Sequence, residues 1–352
     1  MYTRKSLIII TTTAMLSSIA TYYALNSITQ KKETIFVKPV LNNNKPAKVC
    51  PYKVARVPGY EFTKPLLFGE PECETEKYAD LKEILAKQIK DYQNNGTITA
   101  ASVYLRDFQR ADWMNINGTE PFHPGSLMKL PILISYLKKS ETDYNFLSKK
   151  ITFTKVPADY AAQSFTNKHI EAGKTYTVKE LLEYMIRYSD NNATYLLNSN
   201  IDLSSLKKVF EEMNMVAPDF ADRNITINAK EYSTFFVVLF NAGYLTSDNS
   251  EYAMELLAQT DFTQGFTAAV PQGVEIAHKF GEWSDGKGLR ELHESGIIYI
   301  NDKAYVLTVL TKGKSAEALP EVIKNIAKAV YDNLKETTAP QTITTGQSKT
   351  FN

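Results

Sequence analysis

The stretch His123-Pro124-Gly125-Ser126-Leu127-Met128-Lys129-Leu130-Pro131 decides how the rest of the chain is read. Pro124-Gly125 breaks the chain, and Leu127, Leu130, Ile132, Leu133 and Tyr136 then recur at helical spacing, so a strongly apolar, buried helix starts at the break. Pro131 falls in its early part, where a proline is far better tolerated than in a helix interior. A serine three residues ahead of a lysine at a helix start puts both side chains on one face of the first turn, where the amine reaches the hydroxyl. The unpaired N–H groups and partial positive charge of that helix end favour negative charge developing at Ser126. Ser-x-x-Lys alone recurs by chance in long chains, so its meaning depends on its surroundings.

Upstream, Leu81, Ile84, Leu85, Ile89 and Tyr92 give residues 78–93 a helical period that Asn94-Asn95-Gly96 ends. Residues 98–106 and 113–116 read as two strands of a hairpin. Downstream, 141–175 is mixed. Thr177 and Glu180 then form a capping-box signature for a helix carrying Leu181, Leu182, Met185 and Ile186 into Tyr188-Ser189-Asp190-Asn191. Residues 203–213, 229–241 and 251–259 read as further helices, so 126–260 is nearly all helical. The pattern changes after Pro271-Gln272-Gly273, where 275–281, 296–300 and 304–311 are rich in β-branched and aromatic residues, and 316–334 reads as a closing helix. Strands at both ends of a helical insert imply an α+β fold, an antiparallel sheet flanked by helices beside an all-helical subdomain. The sheet subdomain is 76–124 with 271–335, the helical subdomain is 125–270, and a site is expected in the cleft between them.

The remaining segments bound the setting. Arg4 and Lys5 precede an uncharged apolar stretch, 6–25, long enough for a helix to cross a bilayer. It reads as an N-terminal transmembrane anchor or as a signal peptide cleaved near Ser18-Ile19-Ala20. The positive flank orients the rest away from the cytoplasm, so the protein is expected to be membrane-anchored at the cell surface or in the periplasm, or secreted if cleaved. Residues 26–75 read as a polar linker followed by an extended arm, and the Thr-, Gln- and Ser-rich residues 336–352 as a disordered tail. Cys50 and Cys73 form either a disulfide or two separate thiols. With 40 Lys+Arg against 39 Asp+Glu in 352 residues there is no basic field for nucleic acid, and the four scattered histidines suggest no metal site.

The order Ser126-x-x-Lys129, Ser189-Asp190-Asn191 and Lys279-Phe280-Gly281, on helix, helix-end loop and strand, resembles the class A β-lactamases and related penicillin-binding peptidases over residues 76–335. The resemblance implies a serine hydrolase acting on a β-lactam or a peptidoglycan-peptide amide, without a cofactor. Ser126 would be the nucleophile, Lys129 its base, Ser189 a proton relay and Lys279 a positive charge near the substrate carboxylate. Asn191, Gly281 and Glu282 would bind substrate, with the backbone N–H groups of Ser126 and Glu282 as the oxyanion hole. Asp190 would fix its loop, and His278 would be structural rather than a base.

Two departures from the family pattern stand out. The glutamate that releases the acyl group has no counterpart in 198–225, where Glu211, Glu212, Asp219 and Asp222 are the candidates and the two glutamates are expected to be solvated on a helix. Phe280 replaces a hydroxyl residue that binds the substrate carboxylate, so either the substrate differs or Arg290 or Ser295 compensates. The expected activity is therefore acyl-serine formation with slow deacylation. The alternatives are a D,D-peptidase-like cell-wall enzyme and a non-catalytic cell-wall-binding protein.

Overall fold

The computed structural model describes residues 50–155, 164–165, 168–222 and 224–338. The apolar stretch 6–25, the polar linker to residue 49 and the tail beyond 338 lie outside the described residues. Among the described residues no helix is long and apolar enough to cross a membrane.

The chain enters through a disulfide, Cys50–Cys73, with Cα atoms 5.8 Å apart. Closing a loop of this size contributes about 3 kcal/mol in the chain-entropy account. Inside it, β1 (Tyr52–Arg56) and β2 (Leu66–Pro71) pair antiparallel, Tyr52 opposite Pro71, with a register shift between Ala55 and Arg56. This corrects the expectation of an arm without regular structure. Only Ala55 of β1 is buried, so the strand carries no apolar alternation to read.

After α1 (Ala79–Asn94) come β3 (Ala100–Asp107) and β4 (Trp113–Ile116). A 3-10 turn, Gly125–Met128, leads into α2 (Lys129–Ser140). The mixed segment holds a small pair, β5 (Lys150–Thr152) with β6 (Thr175–Thr177), so 126–260 is less uniformly helical than its sequence suggests. Then follow α3 (Val178–Arg187), α4 (Asn191–Asn198), α5 (Leu203–Glu212), α6 (Ala229–Phe240), α7 (Ser247–Ala258) and the single turn α8 (Phe266–Ala269). The chain closes with β7 (Ile276–Ser284), β8 (Arg290–Ile300), β9 (Lys303–Gly313) and α9 (Ala318–Thr338).

Strands from both ends of the chain form one antiparallel sheet in the order β4-β3-β9-β8-β7. The two-residue period of a strand splits its apolar residues between two cores. Val103, Leu105, Leu307 and Val309 pack with α1 and α9 through Leu85, Ile89, Ile323 and Val330. Tyr104, Val306 and Leu310 join the core of the helical block, which includes Leu130, Leu133, Leu182 and Phe236. Each such side chain, fully buried, contributes about 1.5–3 kcal/mol relative to exposure.

The first half of β8 is a correction. The sequence expectation starts that strand at residue 296, yet it begins at Arg290, and Glu291, His293, Glu294 and Ser295 are all at most 1% exposed. They stay buried because each is partnered. Glu291 accepts from the His123 backbone N–H at 2.7 Å, Glu294 lies 2.6 Å from His278 Nδ1 and accepts from the Phe266 N–H, and Ser295 meets Thr308 Oγ1 at 2.6 Å.

Candidate active site

Strand β7 is the sheet edge that faces the Gly125–Met128 turn, and contact between the two is very close. A Cβ on Gly125, whose φ is +51°, would lie 2.2 Å from the Glu282 carbonyl oxygen, and one on Gly281 would lie 2.5 Å from the Pro124 oxygen. Neither position admits a side chain without moving backbone. Ser126, half-buried in this turn, therefore sits against the backbone of Gly281 and Glu282.

From the other side comes the loop after α3. The helix begins with the expected capping box, Thr177 Oγ1 accepting from the Glu180 N–H while the Glu180 carboxylate accepts from the Thr177 N–H. It ends when Ser189 takes a left-handed backbone, φ +51°, a conformation that costs a non-glycine residue about 1–2 kcal/mol. Asp190, fully buried, holds the loop in this shape. It caps α4 through the Asn192 N–H at 2.9 Å, accepts from the Ile170 N–H at 2.8 Å and lies 3.1 Å from His169 Nδ1. These bonds are the structural role expected of it.

The loop delivers the Ser189 hydroxyl between two lysines. Lys129 Nζ is 3.1 Å from Ser189 Oγ and 2.8 Å from Asn191 Oδ1, and it also bonds the Ser189 carbonyl oxygen. Lys279 Nζ is 2.9 Å from the same hydroxyl and 2.9 Å from the Phe280 carbonyl oxygen. Both amines are buried, at 3% and 0% exposure. Burial drives Lys129 from its ordinary 10.5 down to about 7, against the opposing pull of the Asp190 and Glu282 carboxylates. Burial, then the charge of Lys129, pushes Lys279 well below its ordinary value, with Glu294 opposing. As an ammonium, Lys129 can donate to all three of its acceptors. As an amine it has two N–H bonds and a lone pair, so one of the contacts must reverse or open, and a proton acceptor appears beside the Ser126 turn.

Phe280 explains why Lys279 is so dry. Its ring, 3% exposed, lies 4.2 Å from Lys279 Nζ, is stacked on Phe262 at 4.5 Å and is met edge-on by Phe165 at 5.9 Å. Neither residue expected to compensate for it does so. Ser295 is buried against Thr308, and Arg290 sits opposite Ser284 and Gly313 at the far end of the β7–β8 hairpin. The Glu282 carboxylate accepts from the Ser164 N–H at 3.3 Å and from the Ser164 hydroxyl. Ser164, Phe165, Phe262 and His169 all escaped the sequence reading, because each belongs to an aperiodic loop whose partners are distant in the chain.

The candidate deacylating carboxylates all have partners. Glu212 accepts from Tyr244 Oη at 2.6 Å and is mostly buried, correcting its expected solvation, while Glu211 is exposed beside Lys207. Asp219 and Asp222 accept from the Ala221 and Asn224 N–H groups and line a cavity of about 300 Å³ with Met128. His278 is bound to Glu294, in keeping with a structural role.

A family model described as the β-lactamase enzyme family matches residues 82–334. Among solved structures, the chain is similar to the TLA-1 extended-spectrum β-lactamase, with 16% identity, 72% of this chain and 99% of that one covered and a TM-score of 0.61. A β-lactamase from Chitinophaga pinensis shares 18% identity over 71% of this chain and 99% of its own, with a TM-score of 0.62. PBP-A shares 19% over 73% and 97%, at 0.59, and a mutant of it has been captured as an acyl-enzyme complex with penicillin G. No curated protein matches the sequence. At these identities the structural likenesses establish the fold, and it is the family model, spanning most of the chain, that shows the chain to be a serine hydrolase belonging to the β-lactamase enzyme family.

Proposed function

We propose that the protein acts outside the cytoplasm, forming an acyl-serine intermediate at Ser126 with a β-lactam or peptide amide and releasing it slowly. Lys129 in its amine form takes the Ser126 proton as Oγ bonds to the carbonyl carbon. The N–H groups of Ser126 and Glu282 receive the oxyanion. The proton then passes through the Ser189 hydroxyl to the leaving nitrogen as the C–N bond breaks. Water later cleaves the ester, returning Ser126 and a carboxylic acid.

The observation that carries this reading is the Ser189 hydroxyl held at 3.1 and 2.9 Å from two buried lysine nitrogens, one of them brought to about 7. A purely binding role would leave that costly arrangement without a purpose. Export is supported by the apolar stretch 6–25 behind Arg4 and Lys5.

Peptidase-like acylation is favoured over rapid lactam turnover, because Asp202, Glu211, Glu212, Asp219 and Asp222, the carboxylates of 198–225, are all engaged in hydrogen bonds or exposed ion pairs. Incubation of the full-length protein with a fluorescent penicillin, followed by peptide mass spectrometry, tests both points. The expected outcome is a covalent label on Ser126 that persists for hours and is absent from Ser126→Ala. No label with any acylating probe would replace the enzyme with a binding protein, and prompt release of hydrolysed lactam would overturn slow deacylation.

A further inference from the structure

The strand wall of the cleft is built for a different charge from the one the family pattern implies. Where a hydroxyl would receive a substrate carboxylate, the Phe280 ring lies against Lys279 Nζ, and Phe262 and Phe165 close round the ring. Lys279 is 0% exposed, so an anion reaches it only if one of the groups around it moves. Arg290 and Ser295 offer no substitute, one at the hairpin end and the other tied to Thr308. In place of a cation the wall carries a carboxylate. The Glu282 backbone abuts Gly125, directly before Ser126, and its side chain is half-buried, steadied by Ser164 and close enough to Lys129 to act on its charge. Lys168, on the loop side, lies over the Tyr188 ring at 4.6 Å, beside Tyr188 Oη.

We propose that Glu282 selects the substrate by charge: the group lying along β7, on the leaving side of the scissile bond, is a cationic amine rather than a free carboxylate. A fixed carboxylate beside half-exposed Phe165 is the chemistry that receives an ammonium, by ion pairing and by the negative face of an aromatic ring. The same carboxylate repels an anion brought to that place, and the low dielectric of a partly closed cleft enlarges both effects. The inference rests on the acyl-serine reading of Ser126 and adds the class of substrate to it.

Three thioesters with one acyl group and different leaving thiols test it, each rate being taken relative to that ester's hydrolysis without protein: thiocholine, which is cationic and cannot undergo acyl transfer to its own nitrogen, ethanethiol, which is neutral, and thioglycolate, which is anionic. Thiol release and the Ser126 mass shift are followed for the full-length protein and for Glu282→Gln. The native protein is expected to react about tenfold faster with the thiocholine ester than with the thioglycolate ester, on the scale of one partly screened charge pair, with ethanethiol between them. Glu282→Gln brings the ratio close to one, chiefly by speeding the thioglycolate ester, and Glu282→Lys reverses it. Raising the salt concentration shrinks the native preference. A native preference for thioglycolate, or a ratio unchanged in Glu282→Gln, overturns the proposal while leaving acylation standing. Failure of all three esters to mark Ser126 removes the acyl-serine reading, and this inference with it.

Discussion

On the helical wall of the cleft, Ser126, Lys129, Ser189 and Asn191 match the family's motifs side chain for side chain. On the strand wall, Lys279 and Gly281 match, while Phe280 and Glu282 bring an aromatic ring and a carboxylate to positions beside them. The helical wall brings Lys129 Nζ to the Ser189 hydroxyl and to Asn191 Oδ1, and Lys279 reaches the same hydroxyl from the strand. The strand wall shuts water away from one amine and presents negative charge at the rim. The side chains proposed to make the bond and those proposed to choose the substrate thus stand largely on separate elements, and the second set can change without rebuilding the first.

The comparison breaks most visibly at Lys129. Lys129→Ala is expected to slow acylation of Ser126 about 10²–10⁴-fold with every probe, whatever its charge, as read by label incorporation over time. In the native protein the same step should accelerate as pH rises through about 7, where the amine form becomes populated, and level off above it. The sign for stability follows from that depressed value. In the folded state the proton is held less tightly than in the unfolded chain, so stability falls as pH drops from 10.5 toward about 7. Lys129→Met should therefore raise the melting temperature more at pH 6 than at pH 10, and the reverse order would contradict the burial of the charge.

A second test lies on the strand wall. Phe280→Ala is expected to cost about 3–5 kcal/mol in denaturant unfolding, the usual loss for a buried aromatic. It should also let solvent reach Lys279, so the variant is expected to gain on the thioglycolate ester relative to the thiocholine ester. Intact stability would mean that the ring is not packed as described.

The smallest effect falls outside both walls. Thr177→Ala removes one cap and should lower stability by about 1 kcal/mol, with Ser126 labelling unchanged under native conditions. A loss of labelling there would tie the Ser189 loop to the start of α3 more tightly than its hydrogen bonds indicate.

Much of this was legible in the sequence where local patterns dictate structure. The period of residues 78–93, the Thr177–Glu180 cap and the break at Pro124-Gly125 all depend on neighbours in the chain, and all three match the structure. What escaped depends on distant partners. The run Arg290 to Ser295 reads as surface because its side chains are polar, and it is core because Glu291, Glu294 and Ser295 find bonding groups in other segments. Pairing of the arm escaped for the opposite reason, since its outer face is exposed and leaves no alternation. The three motifs singled out Lys129, Ser189 and Lys279, which meet at the Ser189 hydroxyl, yet Phe280 could be recognised only as a departure, because the rings that enclose it lie on aperiodic stretches.

Glu291 is shut from solvent at 1% exposure beneath the segment that leads to Ser126, bonded to the His123 N–H at 2.7 Å, to the His123 ring at 3.0 Å and near His293 at 3.3 Å. Burial acts to raise the pKa of its carboxyl, but the bonds from His293 and His123 more than offset this and hold it below the usual carboxylate range. Freeing the His123 amide would strand that anion in the interior, so local fraying is a poor route to it. Deuterium uptake at His123 should then be among the slowest in the chain, giving a clock for complete unfolding a few residues from the nucleophile.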